Sequence, residues 1–215
     1  MKKIFNHKFI RTSLLYFIIG ENFDKTFLEF GATDGFELSN SYTLENDYNW
    51  KGVLSEPSPQ WHESLKRNRI DSKIITECIW KESGKKLDFY MSDLGELSTL
   101  NDFIDNEIDT MPKNTSQRKK SGKIITVNTI SLNDVIKEYF NNKCPSYISV
   151  DTEGSEYEIL KAFNLNDFRP KLFTIEHNFT ENQSKIDDLL ISNGYVRIFK
   201  KLTAFDAWYI PFENL

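Results

Sequence analysis

The 215-residue chain carries 27 basic and 32 acidic side chains, a formal net charge of −5, so it lacks the positive surplus of a nucleic-acid binder. At 39% hydrophobic and 27% charged residues it can bury one full α/β core and is too polar to belong to a membrane-spanning class. Cys78 and Cys144 are far apart and lack metal-ligand spacing, which predicts free thiols in a reducing, cytoplasmic setting.

The N-terminus imitates a secretory leader, with basic Met1-Lys2-Lys3 ahead of an apolar run at Leu14–Ile19. That run is too short to span a bilayer and no small-residue cleavage site follows it. We expect residues 1–24 to form a helical segment, Lys8 to Ile19 covering a sheet edge, ahead of a single domain at 25–215. Phe27-Leu28-Glu29-Phe30-Gly31-Ala32-Thr33-Asp34-Gly35 then reads as a buried strand breaking into a glycine turn. A helix after Ser39-Asn40-Ser41 completes a cradle for a nucleotide-like ligand. Gly31 allows the tight turn, Ala32 keeps the wall low, and Gly35 permits a positive φ or a close backbone approach.

Lys51-Gly52-Val53-Leu54-Ser55-Glu56-Pro57 predicts a second strand ending in an acid. At that spacing a carboxylate can accept from both hydroxyls of a ribose. Ser58 and Pro59 signal a helix start, with the helix running to about Arg69. Lys73–Trp80 reads as one third strand, and Leu87–Met91 as a further, antiparallel one. From Asn101 to Lys123 periodicity fails. We expect a polar loop there, mobile and able to close over the site, with Arg118, Lys119, Lys120 and Lys123 as solvated charges.

Order resumes with an extended Ile124–Val127 and a capping box, Ser131 with Asp134, opening a helix to about Asn141. Tyr147–Asp151 is the fourth main strand, and Ser155 with Glu158 is expected to cap the next helix reciprocally. Lys171–His177 is the fifth, and a helix opened by Thr180 and Gln183 stops at Gly194. Tyr195–Phe199 and Ala207–Ile210 close the chain as an antiparallel pair. Strands alternating with helices predict a mostly parallel sheet covered on both faces.

In such a sheet, ligands bind beyond the carboxyl ends of the strands. Those ends hold Glu29 and Asp34, Glu56, Glu77, Asp151 with Glu153, and Glu176-His177-Asn178. An acidic rim disfavours a pyrophosphate and favours an electropositive ligand, such as a nucleoside bearing a sulfonium and an ammonium group, S-adenosylmethionine.

Three stretches, Glu29–Gly35 with Ser39–Ser41, Trp50–Pro57, and Tyr147-Ile148-Ser149-Val150-Asp151-Thr152-Glu153-Gly154-Ser155-Glu156, resemble the FkbM-like group of class I methyltransferases. The last is similar to that group's D-x-E-G-x-E signature. The resemblance implies a Rossmann-like α/β fold: a seven-stranded, mostly parallel sheet with an antiparallel C-terminal hairpin strand and helices on both faces. It implies S-adenosylmethionine as cofactor and methyl transfer to a hydroxyl, often on a sugar or secondary metabolite, so the expected partner is a small-molecule or glycan acceptor. By position, Gly31, Ala32 and Gly35 would line the methionine part, Glu29 and Asp34 would lie near its ammonium, Glu56 would hold the ribose, and Cys78 and Ile79 would flank the adenine. Asn40, Pro57 and Asp151 complete the implied cofactor-binding set.

A methyl on a sulfonium is already activated, so the protein must place an acceptor oxygen and remove its proton. Asp151, Glu153 and His177 are the expected catalytic residues, with His177 as base because its proton affinity suits neutral pH and Asp151 orienting the acceptor. Asp151 and Glu153 offer the oxygen ligands that hard cations favour, but the sequence shows no third ligand and we assign no metal. A nucleotide-dependent oxidoreductase and a non-catalytic nucleoside-binding module on the same fold are the competing readings.

Overall fold

The computed structural model describes residues 23–105, 116–178, 180–201, 203 and 205–214. The expected N-terminal helix and the central part of the expected polar loop lie outside them. Strands β1 (Thr26–Phe30), β2 (Lys51–Ser55), β3 (Lys73–Ile75), β8 (Tyr147–Val150), β9 (Leu172–Glu176), β10 (Tyr195–Ile198) and β11 (Asp206–Pro211) form a seven-stranded sheet in the order β10-β11-β9-β8-β1-β2-β3. All neighbours pair in parallel except β11, which runs antiparallel to both β9 and β10. The expected C-terminal hairpin and mostly parallel α/β sheet are both present.

The inner strands read as near-continuous apolar runs because both faces are covered. Leu28, Phe30, Val53, Ile148 and Val150 point to one face. There they meet Val135 and Ile136 of α3 (Leu132–Tyr139), Ile159 and Leu160 of α4 (Glu156–Lys161), and Ile186 and Leu190 of α5 (Asn182–Ser192). Phe27, Leu54 and Tyr147 point to the other, against Leu44 of α1 (Tyr42–Tyr48) and Leu65 of α2 (His62–Asn68). The alternation follows from the two-residue period of a strand.

A second sheet was not legible in the sequence. Lys73–Trp80 is not one strand: β3 stays on the edge of the main sheet, and β4 (Cys78–Trp80) departs to pair with β7 (Gly122–Ser131). Thr76 and Glu77 form the break, held by the Glu56 amide donating to the Ile75 carbonyl and Ser55 Oγ donating to the Glu77 carbonyl. With β5 (Lys86–Ser92) and β6 (Thr99–Leu100) these strands make a four-stranded sheet, β4-β7-β5-β6, in which β5 and β7 are antiparallel as expected of Leu87–Met91.

Three expected helix caps are corrected. Ser58 does not cap α2, which starts at His62; the Ser58 amide instead donates to Glu56. Ser155 makes no cap bond, because its hydroxyl donates to Thr152 Oγ1 and the Glu156 carboxylate folds the turn in its place. Thr180 bonds back to the His177 carbonyl, leaving α5 without a side-chain cap. Ser131 does accept from the Asp134 amide at the start of α3, and Gly194, at φ +80, follows α5.

Candidate active site at the ends of β1, β2, β8 and β9

Strand order reverses between β1 and β8, which places the crevice beyond their carboxyl ends. Gly31 sits there at φ +78, and a Cβ on it would lie 1.7 Å from the Asp151 carbonyl oxygen. Only a glycine lets the two strand ends approach this closely. The Asp151 amide donates to the Phe30 carbonyl, locking the approach from the other side. Gly35, at φ +72, serves a different purpose: its missing Cβ makes room for Leu65 and Arg69. Ala32 is fully buried among Leu44 and Leu54, so its side chain faces the core.

Glu29 is committed to the fold. Its two oxygens accept from the Ser39 and Ser41 hydroxyls and from the Asn40 and Ser41 amides, and buried Arg69 lies 3.7 Å away. Arg69 also pairs with Glu45 at 2.6 Å and bonds the Gly35 carbonyl. This network holds the Ser39–Ser41 turn against the strand end, and Asn40 reaches on to Ser149 Oγ on β8. Asp34 accepts from the Phe36 and Glu37 amides, closing the glycine turn on itself.

Glu56, at the end of β2, is 4% exposed. The Thr33 amide donates to its Oε2 and the Ser58 amide to its Oε1, each at 2.8 Å, so the carboxyl bridges the glycine turn and the segment after Pro57. Burial pushes its pKa up to about 7, and the Asp151 charge adds to this against the two amides. Cys78 and Ile79 are buried in the core that the two sheets share, and burial pushes the Cys78 thiol up to about 12.

The segment after β8 builds the other wall. Glu153 takes φ +59, a left-handed conformation uncommon outside glycine and asparagine. It is held by Glu156 Oε1, which accepts from the Thr152 and Gly154 amides, and by Thr99 Oγ1, which donates to the Thr152 and Glu153 carbonyls. Arg118 is completely buried rather than solvated. It donates to the Leu97 carbonyl at 2.8 Å and pairs with Glu153 at 2.6 Å. The basic cluster thus contributes an internal counterion. Desolvation raises the Glu153 pKa to about 8, with Asp151 adding and Arg118 opposing.

His177, expected as the base, is 4% exposed, and its Nε2 faces Arg197 Nη2 at 3.2 Å, so the guanidinium donates to that ring nitrogen. Burial, with the Arg197 charge second, lowers its pKa to about 4. Oxygens of Asp151, Glu153 and the neighbouring Glu176 lie within 4.8 Å of one another. The parallel register of β8 and β9, Val150 opposite Ile175, carries Asp151 and Glu176 to the same level. Acids ending adjacent strands were the sequence signal for this, but strand order was needed to read it. Arg69 and Arg118 had no such signal.

A family model, the methyltransferase FkbM domain, matches residues 29–197. No protein of curated function matches the chain. Among solved structures it is similar to a precorrin-6y C5,15-methyltransferase from Geobacter metallireducens, at 11% identity and TM-score 0.48 over 94% of this chain and 85% of that one. It is likewise similar to the human methyltransferase 10 domain containing protein, at 11% identity and TM-score 0.48 over 94% of this chain and 81% of that one. No helix among the described residues is long and apolar enough to cross a membrane. The family match covers the glycine turn, the β2 acid and the β8 signature together, and the chain belongs to the FkbM domain family of methyltransferases.

Proposed function

We propose that this protein is an O-methyltransferase that uses S-adenosylmethionine to methylate a hydroxyl of a sugar, glycan or secondary metabolite. The observation that carries the reading is the close approach of β1 and β8, where Gly31 admits no side chain beside Asp151 and the Glu56 carboxyl lies near enough to feel the Asp151 charge. Family membership implies the cofactor, and the donor set fits it: carboxylates suit a cationic ligand and a ribose, and the glycine turn offers no basic group to a pyrophosphate. When bound, the cofactor supplies a methyl group already activated by its sulfonium.

The chain's own residues do the rest. Glu56, oriented by two amides, accepts from the ribose hydroxyls. Pro57, Cys78 and Ile79 shape the adenine side, and Gly31 with Asn40 and Asp34 shapes the methionine side. Ala32, Gly35 and Glu29 act from behind, by packing and by holding the Ser39–Ser41 turn. Asp151 and Glu153 present carboxylate oxygens to the acceptor hydroxyl, orienting it and relieving it of its proton. His177 is a positioning residue, holding Arg197 and Asp187 beneath the end of β9.

The test is transfer of labelled methyl from S-adenosylmethionine to a panel of free sugars, glycosides and hydroxylated aromatics. The expected product carries an alkali-stable methyl ether. An alkali-labile methyl ester, or methylation of nitrogen, would contradict the O-methylation reading.

A further inference from the structure

The geometry points to a binding site for one hard divalent cation, of the Mg2+, Mn2+ or Ca2+ class, formed by Asp151, Glu153 and Glu176. Oxygens of the three carboxylates lie within 4.8 Å of one another. Two oxygens on one cation sit at most twice the bond length apart, about 4.2–5 Å for bonds of roughly 2.1–2.5 Å. The side chains are therefore already spaced as ligands of a single ion, and the pairing of β8 with β9 fixes two of them.

A second observation is independent of the spacing. The Glu176 carboxyl is enclosed by protein and within hydrogen-bonding reach of the Asp151 side chain, and its Oε2 meets neither solvent nor a hydrogen-bond donor. A buried carboxylate oxygen left without a donor is rare and costly, and here it sits among two further acids. The set offers only oxygen, which selects hard cations over zinc or copper. His177 is outside the set, its Nε2 being held by Arg197.

What the cation would do rests on the methyl-transfer reading. Three protein oxygens leave coordination positions that an acceptor with two adjacent oxygens, such as a vicinal diol, can fill, placing one hydroxyl beside Asp151. Whether the ion binds does not rest on that reading.

The experiment is titration of the full chain, stripped with EDTA, with Mn2+ alone, following the loss of the free-ion resonance. One Mn2+ should bind per chain and be displaced by Mg2+ or Ca2+. Glu176→Gln and Asp151→Asn should each weaken it at least about tenfold, and exposed Glu213→Gln should not. Wild type alone also decides the matter if a variant fails to fold, because Mn2+ should raise its melting temperature and EDTA should reverse the rise. Absence of Mn2+ binding up to millimolar concentration overturns the site and leaves a shared proton between Asp151 and Glu176 in its place; binding unchanged in Glu176→Gln overturns it too. A parallel titration with S-adenosylhomocysteine separates the two claims. Mn2+ binding without it supports the cation site and sinks the methyl-transfer reading, whereas the reverse result sinks the cation site alone.

Discussion

Gly31→Ala puts the cradle under the sharpest strain. The added Cβ would meet the Asp151 carbonyl oxygen at 1.7 Å and its carbon at 2.8 Å, roughly 1.5 Å inside an ordinary contact. Neither partner can yield locally, because the Asp151 amide is bonded to Phe30 and the Gly31 amide to Ser55. A left-handed alanine costs about 1–2 kcal/mol and loss of one backbone bond about 1–1.5 kcal/mol. The substitution should therefore destabilise the fold by about 2–4 kcal/mol, read from urea unfolding. The Asp151 carbonyl must also move by about 1 Å, carrying its carboxylate with it, and about 1 Å of misplacement costs on the order of 100-fold in rate. A Gly31→Ala protein within about 0.5 kcal/mol of wild type, the spread of harmless surface changes, and with unchanged S-adenosylhomocysteine affinity would refute the close approach of β1 and β8.

Glu56 should give cofactor binding a pH signature. Its folded pKa, about 7 against an ordinary 4.5, means the ionised acceptor is lost as pH falls through 7. S-adenosylhomocysteine affinity should drop between pH 8 and 6, and Glu56→Gln should be flat over that window; a flat wild-type profile would contradict the assignment. The same shift implies that Glu56 lowers fold stability as pH rises from 4.5 to 7, since the folded state binds the extra proton. His177→Ala should keep turnover within about threefold, far below the 10²–10⁴ of a general base, while lowering stability by about 1–3 kcal/mol because Arg197 Nη2 loses its acceptor. Arg118→Met should cost about 3–5 kcal/mol because it strands the Glu153 carboxylate, and Arg118→Met with Glu153→Gln should recover much of that loss. Similar stability of the single and double variants would show that the ion pair is not what holds this wall.

The sequence made the main sheet and its cradle readable for one physical reason: parallel strands buried on both faces are short apolar runs, and at the ligand end they stop in glycine or acid. Phe27–Gly31, Val53–Glu56 and Ile148–Asp151 all have that form. The Lys73–Trp80 run hid a boundary because its break, Thr76-Glu77, contains no glycine or proline and depends on bonds from Ser55 and Glu56 far away in sequence. Arg118 was misread as solvated because a cluster of lysines and an arginine looks the same whether or not one member turns inward. Only the fold brings Leu97 and Glu153 to it. Ser155 has the sequence of a cap, yet its hydroxyl donates to Thr152 Oγ1, while Glu156 accepts from the Thr152 and Gly154 amides ahead of the helix. Tertiary partners decided the first two cases, and competition among neighbouring side chains decided the third.

If Glu56 holds the methyl donor at the carboxyl ends of β1 and β8, calorimetric titration of wild type and Glu56→Ala with S-adenosylhomocysteine, with NADH as control, will show it. Wild type should bind S-adenosylhomocysteine and not NADH, and folded Glu56→Ala should lose about 1.5–3 kcal/mol, roughly tenfold or more in affinity. NADH binding in preference, or equal S-adenosylhomocysteine affinity in the two proteins, would contradict it.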